Sequence, residues 1–206
     1  MHTIGIDEAG RGALAGPVVV AAVAIPKGFK YRVKRLPKLK DSKQLSVHQR
    51  ELWYRYIKDA DKAFFHVSRV YQGQIDKKNI ARSANLAASR AAEGVALDMG
   101  KRLGTYKILI DGGLYLEDKS HRGIKASTLI RGDQRIVAIK LASIVAKVTR
   151  DRYMKKLHLR YPEYGFGVHK GYGTAGHFKA LRKYGISEVH RLTYLNGYPN
   201  LKPKRN

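Results

Sequence analysis

The chain has 206 residues, enough to bury a substantial core without disulfide or metal staples. Its 41 Lys and Arg against 16 Asp and Glu leave a net charge of +25, which suits a polyanionic partner and exceeds what a small acidic substrate would require. The lack of cysteine excludes disulfide frameworks, thiolate nucleophiles and zinc knuckles. With no apolar run of about 18 residues to span a membrane, a soluble, unprocessed protein of the cytoplasm is expected, with no membrane association.

In chain order, residues 3–7 and 17–25 are short β-branched-rich runs joined by a Gly/Ala-rich segment, and they read as two strands of one sheet, the first of them central. Residues 27–43 carry eight Lys and Arg, one Asp and Pro37, the composition of a loop or extended arm. Ser46 suits the N-cap of a helix to about Ile57, residues 64–71 are strand-like, and the Ala-rich, proline-free stretch from Lys77 to Lys101 predicts one long helix. Strands follow at 106–110 and 124–130, each running into an aspartate: Asp111, then Asp133. Asp133 occupies an N-cap position for a helix to about Leu159. Val137, Leu141, Ile144, Val145 and Val148 share one face of it, and Lys140, Ser143, Lys147 and Asp151 align on another. Residues 161–206 are rich in Tyr, Gly and His, with a helix from about Ala175 to Lys183 and a basic tail from Leu201 to Asn206. The pattern is that of a mixed α/β fold, a central β-sheet flanked by helices.

Four acids stand out in a chain poor in them: Asp7 and Glu8 at the end of the first strand, Asp111 at the end of another, and Asp133 between strand and helix. Taken singly, each has an ordinary role as N-cap, turn former or strand end. Their joint placement points elsewhere, because hard oxygen donors without His or Cys suit Mg²⁺ or Mn²⁺ and phosphodiester chemistry. Two such ions about 3.5–4 Å apart activate the attacking water and stabilise the leaving oxygen of an in-line displacement. Gly10-Arg11-Gly12 follows the acid pair, offering a close backbone approach and a guanidinium fork for phosphate. His169, His177 and His190 read as structural or solvent-facing residues rather than general bases, and Trp53 and most tyrosines as packing residues.

The string Asp7-Glu8-Ala9-Gly10-Arg11-Gly12, with Ala15-Gly16-Pro17-Val18-Val19, closely resembles the type 2 ribonucleases H, specifically ribonuclease HII of the bacterial type. The resemblance continues through Asp41-Ser42-Lys43-Gln44-Leu45, Ile110-Asp111-Gly112, Gly132-Asp133 and the segment from Ala142 to Asp151. It extends to Tyr161-Pro162-Glu163-Tyr164-Gly165-Phe166, His169-Lys170-Gly171-Tyr172-Gly173-Thr174 and His190-Arg191-Leu192-Thr193-Tyr194.

The resemblance implies a single ribonuclease H-like catalytic domain whose residues from about 161 onward form a helical or loop extension covering the substrate groove. It implies an endonuclease that cleaves the RNA strand of RNA–DNA hybrids and nicks 5′ of single ribonucleotides in duplex DNA, leaving 5′-phosphate and 3′-hydroxyl ends. Asp7, Glu8, Asp111 and Asp133 would be the catalytic acids holding two Mg²⁺ or Mn²⁺ ions, with Asp7 bridging. Gly10, Arg11 and Gly12 would sit at the ribonucleotide–deoxynucleotide junction, Tyr172 would stack on the sugar and sense the 2′-hydroxyl, and Lys43, Ser143 and Lys147 would bind phosphates. A monomer acting in ribonucleotide excision repair is expected. Two rivals remain: the sister ribonuclease HIII, which has a different sequence after its acid pair, and a non-catalytic basic RNA- or ribosome-binding protein, which composition alone would favour. Lys140-Leu141 and the basic stretch around residues 30–40 depart from the family pattern, and the surplus charge predicts salt-sensitive duplex binding.

Overall fold

The structure, a computed structural model, describes residues 2–116, 124–198 and 200–203; the last three residues of the basic tail lie outside that range. Strands β1 (His2–Ala9) and β2 (Val18–Pro26) pair antiparallel, and β3 (Phe64–Val70) adds antiparallel to β2. On the other side of β1, β4 (Lys107–Asp111) and β5 (Ala126–Leu129) continue the sheet in parallel, giving the order β3-β2-β1-β4-β5. The sheet is mixed, with β1 at its centre as the sequence predicts.

Alternation along the strands assigns the two faces. Ile4, Ile6, Val20, Ala22, Ile108 and Ile110 point to one side, where the alanine-rich helix α3 (Ile80–Asp98) covers them. Ala21, Val23 and Ile25 point to the other, against α1 (Val47–Lys58) and the 24-residue α5 (Val137–Arg160). A β-carbon on Gly5 would lie 2.2 Å from the carbonyl carbon of Ala138, so only glycine lets α5 approach β1 this closely. Residues 161–198 wrap the C-terminal half of α5 with two short helices, α6 (Phe166–His169) and α7 (Ala175–Tyr184), around a third apolar cluster that includes Leu14, Met154, Tyr164 and Phe166. No helix among the described residues is long and apolar enough to cross a membrane.

Local signals account for most boundaries. Ser46 caps α1 through a capping box with Gln49. The helix expected over Lys77–Lys101 is instead two, α2 (Gln72–Lys78) and α3, because Asn79 adopts φ 65° and its side chain caps α3 by accepting from the Arg82 N–H. Asp133 is not the N-cap of the long helix. It lies within a separate helical turn, α4 (Gly132–Arg135), and α5 starts four residues later, after Ile136. That offset turns the Asp133 carboxylate from a capping position toward the end of the sheet.

Candidate active site

Because β1 and β4 are parallel with Ile6 opposite Ile110, the residues that follow, Asp7 and Asp111, lie side by side at the carboxyl ends of adjacent strands. Crevices beyond the carboxyl ends of parallel strands are where open α/β sheets bind ligands. Glu8 follows on β1, and one ligand oxygen from each of Asp7, Glu8 and Asp111 lies within 4.8 Å of the others. Asp133 lines the same cavity outside that tight trio, and its backbone N–H donates to Asp111 Oδ1 at 3.3 Å. All four acids therefore meet at one cavity, as their joint placement suggested.

The cavity has a volume of about 500 Å³. Gly10, Arg11 and Gly12 line it, as do Lys43, Ser143, Lys147 and Tyr172, so each residue singled out from the sequence is present. Ser42 joins them, its hydroxyl 2.8 Å from that of Ser143, which ties the Asp-Ser-Lys turn to α5. Asp41 accepts from the Lys43 N–H and shapes that turn.

The electrostatics are those of acids held together against their repulsion. Burial, then the charge of Glu8, pushes the Asp7 carboxyl well above the usual carboxylate range, although Ser143 and the Glu8 N–H hydrogen-bond to it. Burial likewise raises Glu8, with Arg11 opposing from 3.6 Å, and raises Asp133, with Asp111 and Asp41 adding to the effect. Glu8 Oε2 is buried with no hydrogen-bond partner. An all-oxygen donor set with an unpaired buried carboxylate oxygen fits a hard divalent cation.

Beneath the Gly10–Pro17 loop lie two arginines that sequence reasoning did not single out. Arg191 is fully buried and donates to the carbonyls of Gly10, Arg11 and Gly16 at 2.8–3.0 Å, and the Tyr194 hydroxyl donates to the same Arg11 carbonyl. Arg150, also fully buried, donates to the Ala15 and Pro17 carbonyls. Gly10 has φ 90°, and a β-carbon there would collide with the Arg150 side chain. The only sequence signal for Arg191 is its place in the His190–Tyr194 motif, since among 41 cations a buried arginine looks like any other.

Tyr172, 36% exposed, carries Arg150 and Lys147 over its ring at 5.3 and 5.9 Å. Its loop is fixed by the Leu14 N–H donating to the Gly171 carbonyl and by a buried histidine relay. The Tyr172 carbonyl can only accept, so His177 donates to it from Nδ1 (3.0 Å) and accepts at Nε2 from His190 Nε2 (3.0 Å). His190 Nδ1 in turn accepts from the Ser187 N–H. Both imidazoles are thereby neutral, and burial lowers His177 to about 4 and His190 to about 3. These histidines are structural and stand away from the acids' cavity.

The ribonuclease HII family model matches residues 4–197. The chain belongs to the ribonuclease HII family. Ribonuclease HII of Delftia acidovorans is 42% identical over 191 residues, covering 92% of this chain and 74% of the relative, and that of Neisseria meningitidis is 42% identical over 193 residues, covering 93% and 92%. The crystal structure of ribonuclease H2 from Pyrococcus horikoshii superposes with a TM-score of 0.74 at 28% identity, over 94% of this chain and 93% of that one. The ribonuclease H-like fold and a hydrolytic ribonuclease H activity follow from this membership, and the acids that converge at β1 and β4 belong to the segments through which the sequence resembles the family.

Proposed function

We propose that this ribonuclease H cleaves the RNA strand of RNA–DNA hybrids and nicks on the 5′ side of single ribonucleotides in duplex DNA, using two divalent ions held by Asp7, Glu8, Asp111 and Asp133. The observation that carries this reading is the convergence of three carboxylates, one oxygen of them buried and unpaired, in a cavity that Arg11, Lys43, Lys147, Ser42, Ser143 and Tyr172 also line. Bound Mg²⁺ or Mn²⁺ supplies an acidified water and neutralises charge on the leaving oxygen.

The chain's own residues do the rest. Asp7, beside both Glu8 and Asp111, would be the ligand shared by the two ions, with Glu8, Asp111 and Asp133 completing their donor sets. Lys43 and Lys147 neutralise phosphates, and Arg11, held by the Gly113 carbonyl at 3.0 Å, faces the junction. Tyr172 offers a ring to the sugar where the 2′-hydroxyl distinguishes RNA from DNA. The extension from about residue 161 onward would cover the groove, through the Gly171–Tyr172 loop.

The test is a duplex carrying one ribonucleotide, incubated with Mg²⁺ with and without chelator. The expected outcome is a chelator-sensitive nick leaving a 5′-phosphate. Asp7→Asn abolishes the nick while hybrid binding stays within a few-fold, because a negative ligand is lost and net charge rises. Turnover retained in that variant, or binding without cleavage by the parent, refutes the assignment, and the second result leaves a non-catalytic binder.

A further inference from the structure

The arm between β2 and α1 is a fixed cationic surface rather than a loose loop. Trp53 Nε1 donates to the Pro37 carbonyl at 3.1 Å and the Tyr56 hydroxyl to the Lys30 carbonyl at 2.7 Å. Phe29 packs on Tyr56, and Leu39 is buried in the core beneath α5. With its apolar side chains turned inward, the arm exposes Lys27, Lys30, Arg32, Lys34, Lys38 and Lys40, and no ion pair among the described residues involves any of them.

Anchored like charges repel, so holding them there has a cost that an anionic ligand would offset. Arg32, Lys34, Lys38 and Lys140 line an open groove at this place.

Two covalent routes connect the groove to the acids' cavity. Lys38 is five residues from Lys43, at most about 17 Å of extended chain. Lys140, Ser143 and Lys147 share one face of α5, spanning about 10 Å of helix from the groove to the cavity. Both distances fall within one duplex turn, about 34 Å.

We infer that the 27–40 arm is a second nucleic-acid contact, which grips the phosphate backbone of the duplex flanking the cleavage site and acts in binding rather than in chemistry. The inference rests on the duplex-cleaving reading for the meaning of "flanking". The charge and anchoring of the arm stand without it.

The experiment compares the parent with Arg32→Gln/Lys34→Gln/Lys38→Gln, all three exposed and none a contact that anchors the arm. A charge-matched control is Lys101→Gln/Lys107→Gln/Lys125→Gln, exposed at the opposite end of β4 and β5. Binding to a hybrid duplex several turns long is measured against salt concentration, and cleavage kinetics are measured on the same duplex.

The arm variant is expected to show a log–log salt slope shallower by about 2.7 for three lost phosphate contacts. KM should rise with kcat unchanged, and the control variant should keep the parent slope. An unchanged slope in the arm variant overturns the inference, as does an equal change in both variants, which would mean bulk charge alone. Should the parent bind with the steep slope yet fail to cleave, the nuclease reading falls while the arm contact survives.

Discussion

Tyr172 illustrates how a single residue is held from both ends. Its ring lies under two cations and its carbonyl is pinned by the neutral His177–His190 pair, so the ring is already oriented for the substrate contact proposed for it. Stacking of an aromatic on a nucleotide is worth about 1–3 kcal/mol by truncation. Tyr172→Ala should therefore reduce kcat/KM on a single-ribonucleotide duplex by about 5- to 150-fold, while Tyr172→Phe keeps the ring and most of the rate. Steady-state kinetics on that substrate check this, and an Ala variant as fast as the parent would remove Tyr172 from substrate contact.

At the scale of elements, the placement of the acids depends on how closely α5 lies on β1. Gly5 sets that distance, and Asp7 two residues on points to the same face, toward Ser143 of α5. Gly5→Val would drive branched atoms into the Ala138 backbone and cost about 3 kcal/mol or more, lowering Tm by about 6–12 °C in a chain of this size and separating Asp7 from Ser143. Thermal unfolding with a parallel activity assay measures both effects. Much of this layer was legible in the sequence. The alternating strands, the Ser46 cap and the carboxyl-end acids follow from local pattern, and together with the family motifs they named every residue proposed for the site. Three things were not legible. The break at Asn79 needs a left-handed backbone that asparagine adopts only in some contexts. The separate turn holding Asp133 uses a residue type that caps helices equally well. The roles of Arg150 and Arg191 come from partners more than 130 residues away.

For the whole molecule, opposite pH responses are built into its two parts. His177 and His190 are held at about 4 and about 3, below the ordinary value of 6.5. Between pH 6.5 and 4 the unfolded chain binds more protons at these histidines than the folded one, so their packing loses stability as pH falls. The buried carboxylates of the cavity have raised values and respond in the other direction. Hydrogen exchange, corrected for intrinsic rates, should show protection lost first within residues 161–195 on going from pH 6.5 to 4.5, with β1 and β4 retained. A uniform loss would contradict a localised histidine origin.

The grip of Arg191 on the carbonyls of Gly10, Arg11 and Gly16 also sets an order in time. A nascent polypeptide that has emerged as far as α5 already contains every acid and Arg150, yet the carbonyls of Gly10, Arg11 and Gly16 gain their guanidinium only with residue 191. The support of that loop is therefore completed only by the last fifth of the chain, and a polypeptide ending before residue 191 is expected to hold Gly10–Gly16 less firmly than the full chain.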